Sequence, residues 1–189
     1  MTRLNPAAQL VLDLRDLSRR PGSMIRLHRV AAADAAIGTD VVAIPAGAPL
    51  EVDTRAESVV EGVLLTGSVR ASATGACVRC LDPLTHEVDA QFQELFAYTD
   101  RAAHHHEVGA QDDEDEVREL DGDLLDLEPV LRDAVVPTLP FQPVCRDDCP
   151  GLCPDCGARL GDDPDHRHDR VDPRWAALEG LSATGDATS

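Results

Sequence analysis

Hydrophobic and polar residues alternate along several stretches of the first hundred residues. The most regular stretch runs from 63 to 74, where Leu65 and Val69 fall on one face and Ser68 and Arg70 on the other. A period of two is expected of a β-strand that has one buried and one solvated face. The same pattern predicts strands over residues 10–15, 24–30, 41–44, 50–57, 63–74 and 87–93.

The apolar spacing becomes helical after residue 126. Apolar side chains recur every three or four positions from Leu127 to Val135, with Asp126 as a candidate N-cap and Pro137 as a stop. This spacing predicts one short helix. A second short helix is predicted over 172–178, beginning at Asp172 and packing on the body through Trp175.

A polar stretch separates the alternating part from the helical part. Residues 99–123 contain three consecutive histidines, 104–106, interpreted as a solvated loop, and an acidic run, 112–116. Low hydrophobicity and like charges predict a flexible linker here. The organisation is therefore an antiparallel β domain over 1–98, a flexible acidic linker over 99–123, a helix with a Cys-rich zinc-binding segment and a terminal helix over 124–181, and a disordered tail over 182–189. The fold class is α+β: an antiparallel β-sheet or small open barrel, followed by short helices and a zinc-stapled C-terminal segment.

Charge limits the partners. The 189 residues include 35 acidic and 17 basic side chains, for a formal net charge of −18. This balance disfavours broad electrostatic binding to nucleic acid or to an anionic membrane, and it fits either a solvated acidic surface that keeps the protein soluble or a basic protein partner. No secretion signal and no apolar run of membrane-spanning length are visible, so six cysteines predict metal or redox chemistry in a reducing, cytoplasmic compartment.

Four of the cysteines form the most informative motif of the chain. Cys145, Cys149, Cys153 and Cys156 have C-x3-C-x3-C-x2-C spacing and are followed by Gly157. Short gaps let two thiolates reach one ion from a tight turn, and glycine allows a positive φ after the last cysteine. The spacing predicts a structural metal site, which stabilises a fold and performs no chemistry.

A further pair, Cys77 and Cys80, lies at the tip of the hairpin predicted between strands 63–74 and 87–93, so two ligand sets are open. In the first, one zinc ion is held by the four C-terminal cysteines. In the second, two zinc ions are bound by all eight candidate ligands, one by Cys77, Cys80, Cys145 and Cys149, the other by Cys153, Cys156, His166 and His168. A redox-active pair is disfavoured because a proline and a strand follow Cys80, where a thioredoxin-like motif needs a helix.

Together, these motifs resemble the YceD family of large ribosomal RNA subunit accumulation proteins. The matching pieces are residues 14–17 with 21–22, 63–67, CVRCLDP at 77–83, 94–96, CRDDCPGLCPDCG at 145–157, and 172–174. The resemblance implies a cytoplasmic factor needed for normal levels of large-subunit ribosomal RNA, with a basic ribosomal protein as one expected partner. It also implies a joint metal site across the hairpin pair and the 145–149 pair, and a second site at the positions of His166 and His168.

The expected function is non-enzymatic support of large-subunit ribosome biogenesis, through a ribosomal protein or ribosomal RNA, with no membrane partner and no small-molecule substrate. The chain has no phosphate-binding loop and no nucleophile elbow. Arg70, Arg79 and Arg146 are candidate partner-binding residues. The alternatives are a thiol- or zinc-dependent enzyme and a zinc-responsive regulatory module.

Overall fold

A computed structural model describes residues 4–99 and 118–168, together with Arg174. The described part is mostly antiparallel β-sheet with one α-helix, α1, at Glu128–Val135, which runs into a 3-10 turn at Val136–Thr138. No helix among these residues is long and apolar enough to cross a membrane. The strands are β1 Val11–Asp13, β2 Met24–Ala32, β3 Ile37–Gly38, β4 Val42–Ile44, β5 Pro49–Ser58, β6 Gly62–Ala76, β7 Pro83–Ala97, β8 Arg118–Glu119 and β9 Leu124–Asp126.

The sheet is built around the long β6–β7 hairpin. Its two strands pair from Gly62 opposite Ala97 to Ala76 opposite Pro83, so the turn between them holds the first Cys pair. The other edge of β6 pairs with β5 and, further along, with β4, while β2 lies beyond β5 and β3 beyond β4. The predicted antiparallel sheet is confirmed, and one parallel pair, β7 with β8, was not predicted.

The core lies on one face of this sheet. Leu50 and Val52 of β5 and Leu65 and Val69 of β6 are all buried, as the alternation predicts. Helix α1 contacts β7 and β3, and its buried side chains join those of the sheet and of β1 and β9 in one hydrophobic cluster. The opposite faces of β5 and β7 are largely exposed.

The linker boundary differs from the sequence prediction. Residues 100–117 lie outside the described part, but 118–119 form β8 and Leu120 is buried. Strand β9 pairs with β1 near the start of the chain. The predicted linker range, 99–123, therefore includes residues of the folded body, because Leu120 and β9 complete the same core as the first hundred residues.

The predicted helix is confirmed with a shift of its start. The N-cap position is Leu127, but the Oδ1 atom of Asp126 accepts the hydrogen bond of the Glu128 amide at 3.0 Å, so this side chain still satisfies an N-terminal donor. Pro137 lies in the 3-10 turn that ends the helix. The helix predicted over 172–178, the tail at 182–189 and the histidines at 104–106 lie outside the described residues, Arg174 excepted.

Candidate metal centres

The turn between β6 and β7 forms the first Cys-x2-Cys knuckle. Within it, the amide of Cys77 donates to the carbonyl of Asp82 at 2.8 Å, and the amide of Leu81 donates to the carbonyl of Cys77 at 2.8 Å. Leu81 closes the turn with a φ of 61°, the left-handed conformation. These local bonds bring Cys77 and Cys80 together at the end of the hairpin.

Residues 153–158 repeat this geometry. The amide of Cys153 donates to the carbonyl of Ala158 at 2.8 Å, and the amide of Gly157 donates to the carbonyl of Cys153 at 2.9 Å. Gly157 has a φ of 72°, so it occupies the position that Leu81 holds in the first knuckle. The glycine that the sequence analysis singled out therefore does provide a positive φ after the last cysteine.

Contacts between the first knuckle and the following Cys-rich segment position the remaining ligands. The amide of Val78 donates to the carbonyl of Pro143 at 2.9 Å, and the amide of Leu152 donates to the carbonyl of Arg79 at 3.0 Å. Gly151 is buried here, and a Cβ atom at this position would lie 3.0 Å from that Arg79 oxygen. Backbone bonding at close range thus fixes the 143–152 segment against the hairpin tip.

The Arg79 side chain reinforces this junction. Its Nη1 atom donates to the carbonyl oxygens of Asp147, at 2.9 Å, and Cys149, at 3.1 Å. Two carbonyls of the 145–149 loop are therefore satisfied by a guanidinium from the knuckle. Arg79 holds the loop that carries half of the first candidate centre.

The first cluster consists of Cys77, Cys80, Cys145 and Cys149. All four sulfur atoms lie within 4.8 Å of one another, with 3.9 Å from Cys77 to Cys149 and 3.7 Å from Cys80 to Cys145. Cys145 is exposed, and the other three cysteines are buried beside the half-buried Leu84 and Val144. The arrangement is a small, largely buried group of four sulfur ligands that could hold a metal ion.

The second cluster consists of Cys153, Cys156, His166 and His168, whose ligand atoms also lie within 4.8 Å of one another. The Cys156 sulfur lies 3.2 Å from the Nε2 atom of each histidine, and the two Nε2 atoms are 2.9 Å apart. Cys153 is buried, whereas Cys156 and His168 are exposed. This second set could also hold a metal ion, at a position open to solvent.

The pKa values of the thiols reflect their backbone hydrogen bonds, their burial and the neighbouring thiols. Burial raises the pKa of Cys77, but backbone hydrogen bonds, first that from Cys145, outweigh it and lower the pKa to about 6. At Cys80 a backbone hydrogen bond from Asp82 lowers the pKa, but burial and the neighbouring thiols outweigh it and raise the pKa to about 12. The Cys77 thiolate forms readily, and its negative charge then disfavours ionisation of Cys80. A bound cation would offset this repulsion between the two thiolates.

In the second cluster, a backbone hydrogen bond from Cys156 is the main cause that lowers the pKa of Cys153 to about 6, against the effect of burial. Each cluster therefore contains one thiol that ionises easily. A thiolate is the form of cysteine that binds metal.

The structure brings the eight candidate ligands together as the two-site alternative groups them. Cys145 and Cys149 lie with the hairpin pair, not with Cys153 and Cys156, so the one-site alternative does not match the geometry. The physical reason is the docking of 143–152 on the knuckle, which sequence spacing does not reveal.

The three candidate partner-binding arginines have acceptors within the chain. Arg70 pairs with Glu51 at 3.4 Å and with Asp53 at 3.0 Å. Arg146 pairs with Asp148 at 3.2 Å, and Arg79 binds the two carbonyls described above. The structure places Arg79 and Arg146 at the first cluster and Arg70 away from it, on the exposed face of the sheet.

A third group of potential ligands, which no motif in the sequence indicates, consists of His28, Glu51 and Asp53. The His28 Nδ1 atom lies 2.8 Å from Asp53 Oδ1, and the hydrogen bond from His28 is the main cause that holds the pKa of Asp53 below its usual range. Arg70 also pairs with the carboxylates of Glu51 and Asp53, so we interpret this group as an ion-pair network on the surface of the sheet. The signal was the cross-strand register of His28 with Asp53, which requires the strand pairing to be known.

Comparison with known proteins identifies the family. Residues 65–182, more than half of the chain and both Cys-rich segments, match the family described as "Large ribosomal RNA subunit accumulation protein YceD". The chain belongs to the YceD family. The resemblance stated from the motifs is therefore confirmed, and the family links the chain to large-subunit ribosomal RNA accumulation.

This YceD-family chain is also similar to several mycobacterial proteins. It is 48% identical to the uncharacterized protein Rv2926c of Mycobacterium tuberculosis (strain H37Rv), over 91% of this chain and 81% of that protein. It is 41% identical to the uncharacterized protein ML1660 of Mycobacterium leprae (strain TN), over 96% of this chain and 82% of that protein. No solved structure matches the chain.

Proposed function

We propose that this YceD-family chain is a non-enzymatic, zinc-stabilised factor that acts in the cytoplasm and supports large-subunit ribosomal RNA accumulation by binding a basic protein of the large ribosomal subunit. The observation that carries the proposal is the grouping of eight thiol and imidazole ligands into two four-ligand clusters, within a family linked to ribosomal RNA accumulation.

The donor sets favour zinc. Tetrahedral zinc with sulfur at about 2.3 Å requires sulfur–sulfur distances of about 3.8 Å. The first cluster has 3.7 and 3.9 Å between its cross-segment pairs. Four thiolates, or two thiolates with two imidazoles, are the sets typical of structural zinc, whereas Mg²⁺ and Ca²⁺ prefer oxygen.

A structural role follows from ligand number. Each cluster supplies four protein ligands, which fill a tetrahedral coordination sphere and leave no position for a substrate or an activated water. The thiol alternative is weaker because Cys77, whose pKa is near 6, is 0% exposed and out of reach of a substrate.

Charge favours a protein over naked RNA as the direct partner. The chain has 35 acidic and 17 basic residues, and RNA binding would require arginines gathered on one face. Arg70, Arg79 and Arg146 instead bind acceptors within the chain. A basic ribosomal protein is attracted by the acidic surface without any such arrangement.

Metal content tests the first half of the proposal. Protein purified without chelator should contain two zinc ions per chain by elemental analysis. Cys80→Ser and Cys156→Ser should each lose about one ion, because each removes a ligand from a different cluster. Freshly prepared, reduced protein without zinc would refute the zinc proposal.

Direct binding tests the second half. The zinc-loaded protein should bind at least one purified basic large-subunit protein with an affinity that falls as salt rises. It should not bind purified ribosomal RNA tightly at physiological salt. Tight RNA binding that Arg79→Glu with Arg146→Glu abolishes would make RNA the direct partner.

One observation favours a zinc-responsive role for the second cluster. Cys156 and His168 are exposed, so this centre can exchange metal more readily than the first cluster, in which only Cys145 is exposed. A chelator with micromolar affinity for zinc should remove one ion from the protein, while the other ion remains bound. Removal of both ions in a single step would refute this separate role.

A further inference from the structure

The two knuckles differ at one equivalent position. Both are closed by the same pair of backbone hydrogen bonds, but the residue after the last cysteine is Gly157 in one and Leu81 in the other. Their φ values are 72° and 61°. In this left-handed region a Cβ atom meets the following carbonyl oxygen, so glycine is the expected residue and leucine is disfavoured.

Packing within the described residues does not compensate for this strain. Leu81 is 66% exposed, so most of its side chain lies in solvent. A large aliphatic residue at a strained and exposed turn stabilises neither the turn nor the core. Strain held at an exposed position points instead to a role in contact with another molecule.

Other exposed apolar residues lie in the same region. Val78, in the same knuckle, is 42% exposed, and its amide bonds to Pro143. Phe141, two residues before that proline, is 87% exposed. We define the knuckle patch as Val78, Leu81 and Phe141. Val78 and Leu81 lie in one closed turn, and Phe141 lies two residues along the chain from Pro143, the backbone partner of that turn. Exposed aromatic and aliphatic side chains are the composition expected at the centre of a protein interface.

The surroundings of the knuckle patch are acidic. Residues 145–168 contain six aspartates and three arginines, and all three arginines lie close to aspartate carboxylates. Asp147 and Asp148 are both exposed on the loop that Arg79 holds against the knuckle. An apolar centre with a negatively charged rim matches an apolar side chain carried on a basic segment.

From these observations we propose that the knuckle patch is the docking surface for a basic protein segment, which inserts an apolar side chain against Leu81 and places its cationic residues on the surrounding aspartates. This inference rests on the proposed binding of a basic ribosomal protein and assigns the surface that performs it. The first cluster then has a second role, because it holds the knuckle that presents Leu81.

The test uses the individually purified basic proteins of the large ribosomal subunit as probes against the zinc-loaded full chain in an interferometry assay. Leu81→Gly removes the side chain and also relieves the turn. We expect unchanged zinc content, a melting temperature no lower than that of the parent, and affinity for the bound protein weakened at least tenfold. Phe141→Ser should weaken binding in the same direction.

Val60→Ser is the matched control. Val60 is 60% exposed and lies in the turn between β5 and β6, away from the knuckle. This variant should keep parent affinity, since it removes comparable exposed apolar surface outside the knuckle patch.

The possible failures are distinguishable. If the parent binds a ribosomal protein and Leu81→Gly binds it equally well, the docking surface is wrong and the proposed function stands. If the parent binds none of the probes, both proposals are wrong. A marked fall in melting temperature for Leu81→Gly would mean that Leu81 packs within the chain. If the parent is a dimer and Leu81→Gly is a monomer, the knuckle patch binds a second copy of the chain. Either result overturns the docking proposal.

Discussion

Cys149→Ser is expected to release the Cys-rich segment from the hairpin tip without unfolding the sheet. Cys149 is a buried ligand of the first cluster, but the hydrophobic cluster of the sheet and α1 contains no cysteine. The substitution removes a metal ligand and leaves the main core intact. Its effect should therefore be confined to the junction between the knuckle and residues 143–152.

The size of the effect follows from loop closure. Because the sheet and α1 stay folded, the chain is anchored as far as the buried Leu139, and only the stretch from there to Cys145 becomes a free loop when the junction opens. A cross-link that closes a loop of about six residues contributes about 2 kcal/mol in the chain-entropy description. At about 1.4 kcal/mol per factor of ten, the junction should open about thirtyfold more often without the metal.

The assay is hydrogen exchange at single amides. The Val78 amide bonds to the Pro143 carbonyl across the junction, so its exchange should accelerate strongly in zinc-loaded Cys149→Ser. The Val69 amide, in the middle of β6, should keep its parent rate. Cys156→Ser serves as the matched control, because it opens the second cluster and should leave Val78 protected.

Two outcomes would refute this reasoning. Unchanged protection of Val78 in Cys149→Ser would mean that the backbone bonds hold the junction without the metal. Equal acceleration at Val78 and Val69 would mean that the centre supports the whole fold, and that the core is not independent of it.

Three further predictions concern ionisation, the Arg79 contact and sheet packing. The pKa values of Cys77 and Cys153 fall from 9.0 to about 6 in the folded chain. Their thiolates therefore stabilise the metal-free protein fully above about pH 9, and this contribution is lost as the pH falls to about 6. In chelator, the melting temperature should fall as the pH is lowered over this range, and a melting temperature independent of pH would contradict the prediction. Arg79→Ala should lower the free energy of unfolding of the knuckle junction by about 1 kcal/mol, because two loop carbonyls lose their donor; denaturant melts measure this, and Arg167→Ala, which removes an exposed arginine, should have no effect. Gly67→Ala should destabilise the protein by about 1–3 kcal/mol, because a Cβ atom there would clash with a backbone carbonyl of β5 and a phenylalanine ring of β7; an unchanged urea midpoint would contradict it.

The sequence by itself determined the elements whose signals are local. The alternation from 63 to 74 placed Leu65 and Val69 on the buried face, because a strand turns its side chains to opposite sides at every residue. The Cys77–Cys80 pair was assigned to a hairpin tip for the same reason, since alternating strands flank it on both sides. Helix α1 was equally readable, because its apolar spacing lies within eight residues.

The sequence pattern is weak for short strands whose pairing partner lies far away along the chain. Strand β9 has three residues and pairs with β1, more than a hundred positions earlier, so its short pattern showed no partner. Acidic composition predicts a linker that continues to residue 123, although Leu120 within this range is buried. A single apolar residue forms no periodic pattern, so its burial can be recognised only from the assembled core around it.

Only the tertiary structure decided which ligands belong together. Cys149 is four residues from Cys145 and four from Cys153, so spacing could not assign it to either site. The assignment depends on two backbone bonds between distant segments, Val78 to Pro143 and Leu152 to Arg79, and on the close approach of Gly151. Short-range chemistry produced the two knuckles, whereas the metal clusters required the chain to fold back on itself, because four ligands must meet within a few ångströms in space whatever their separation along the sequence.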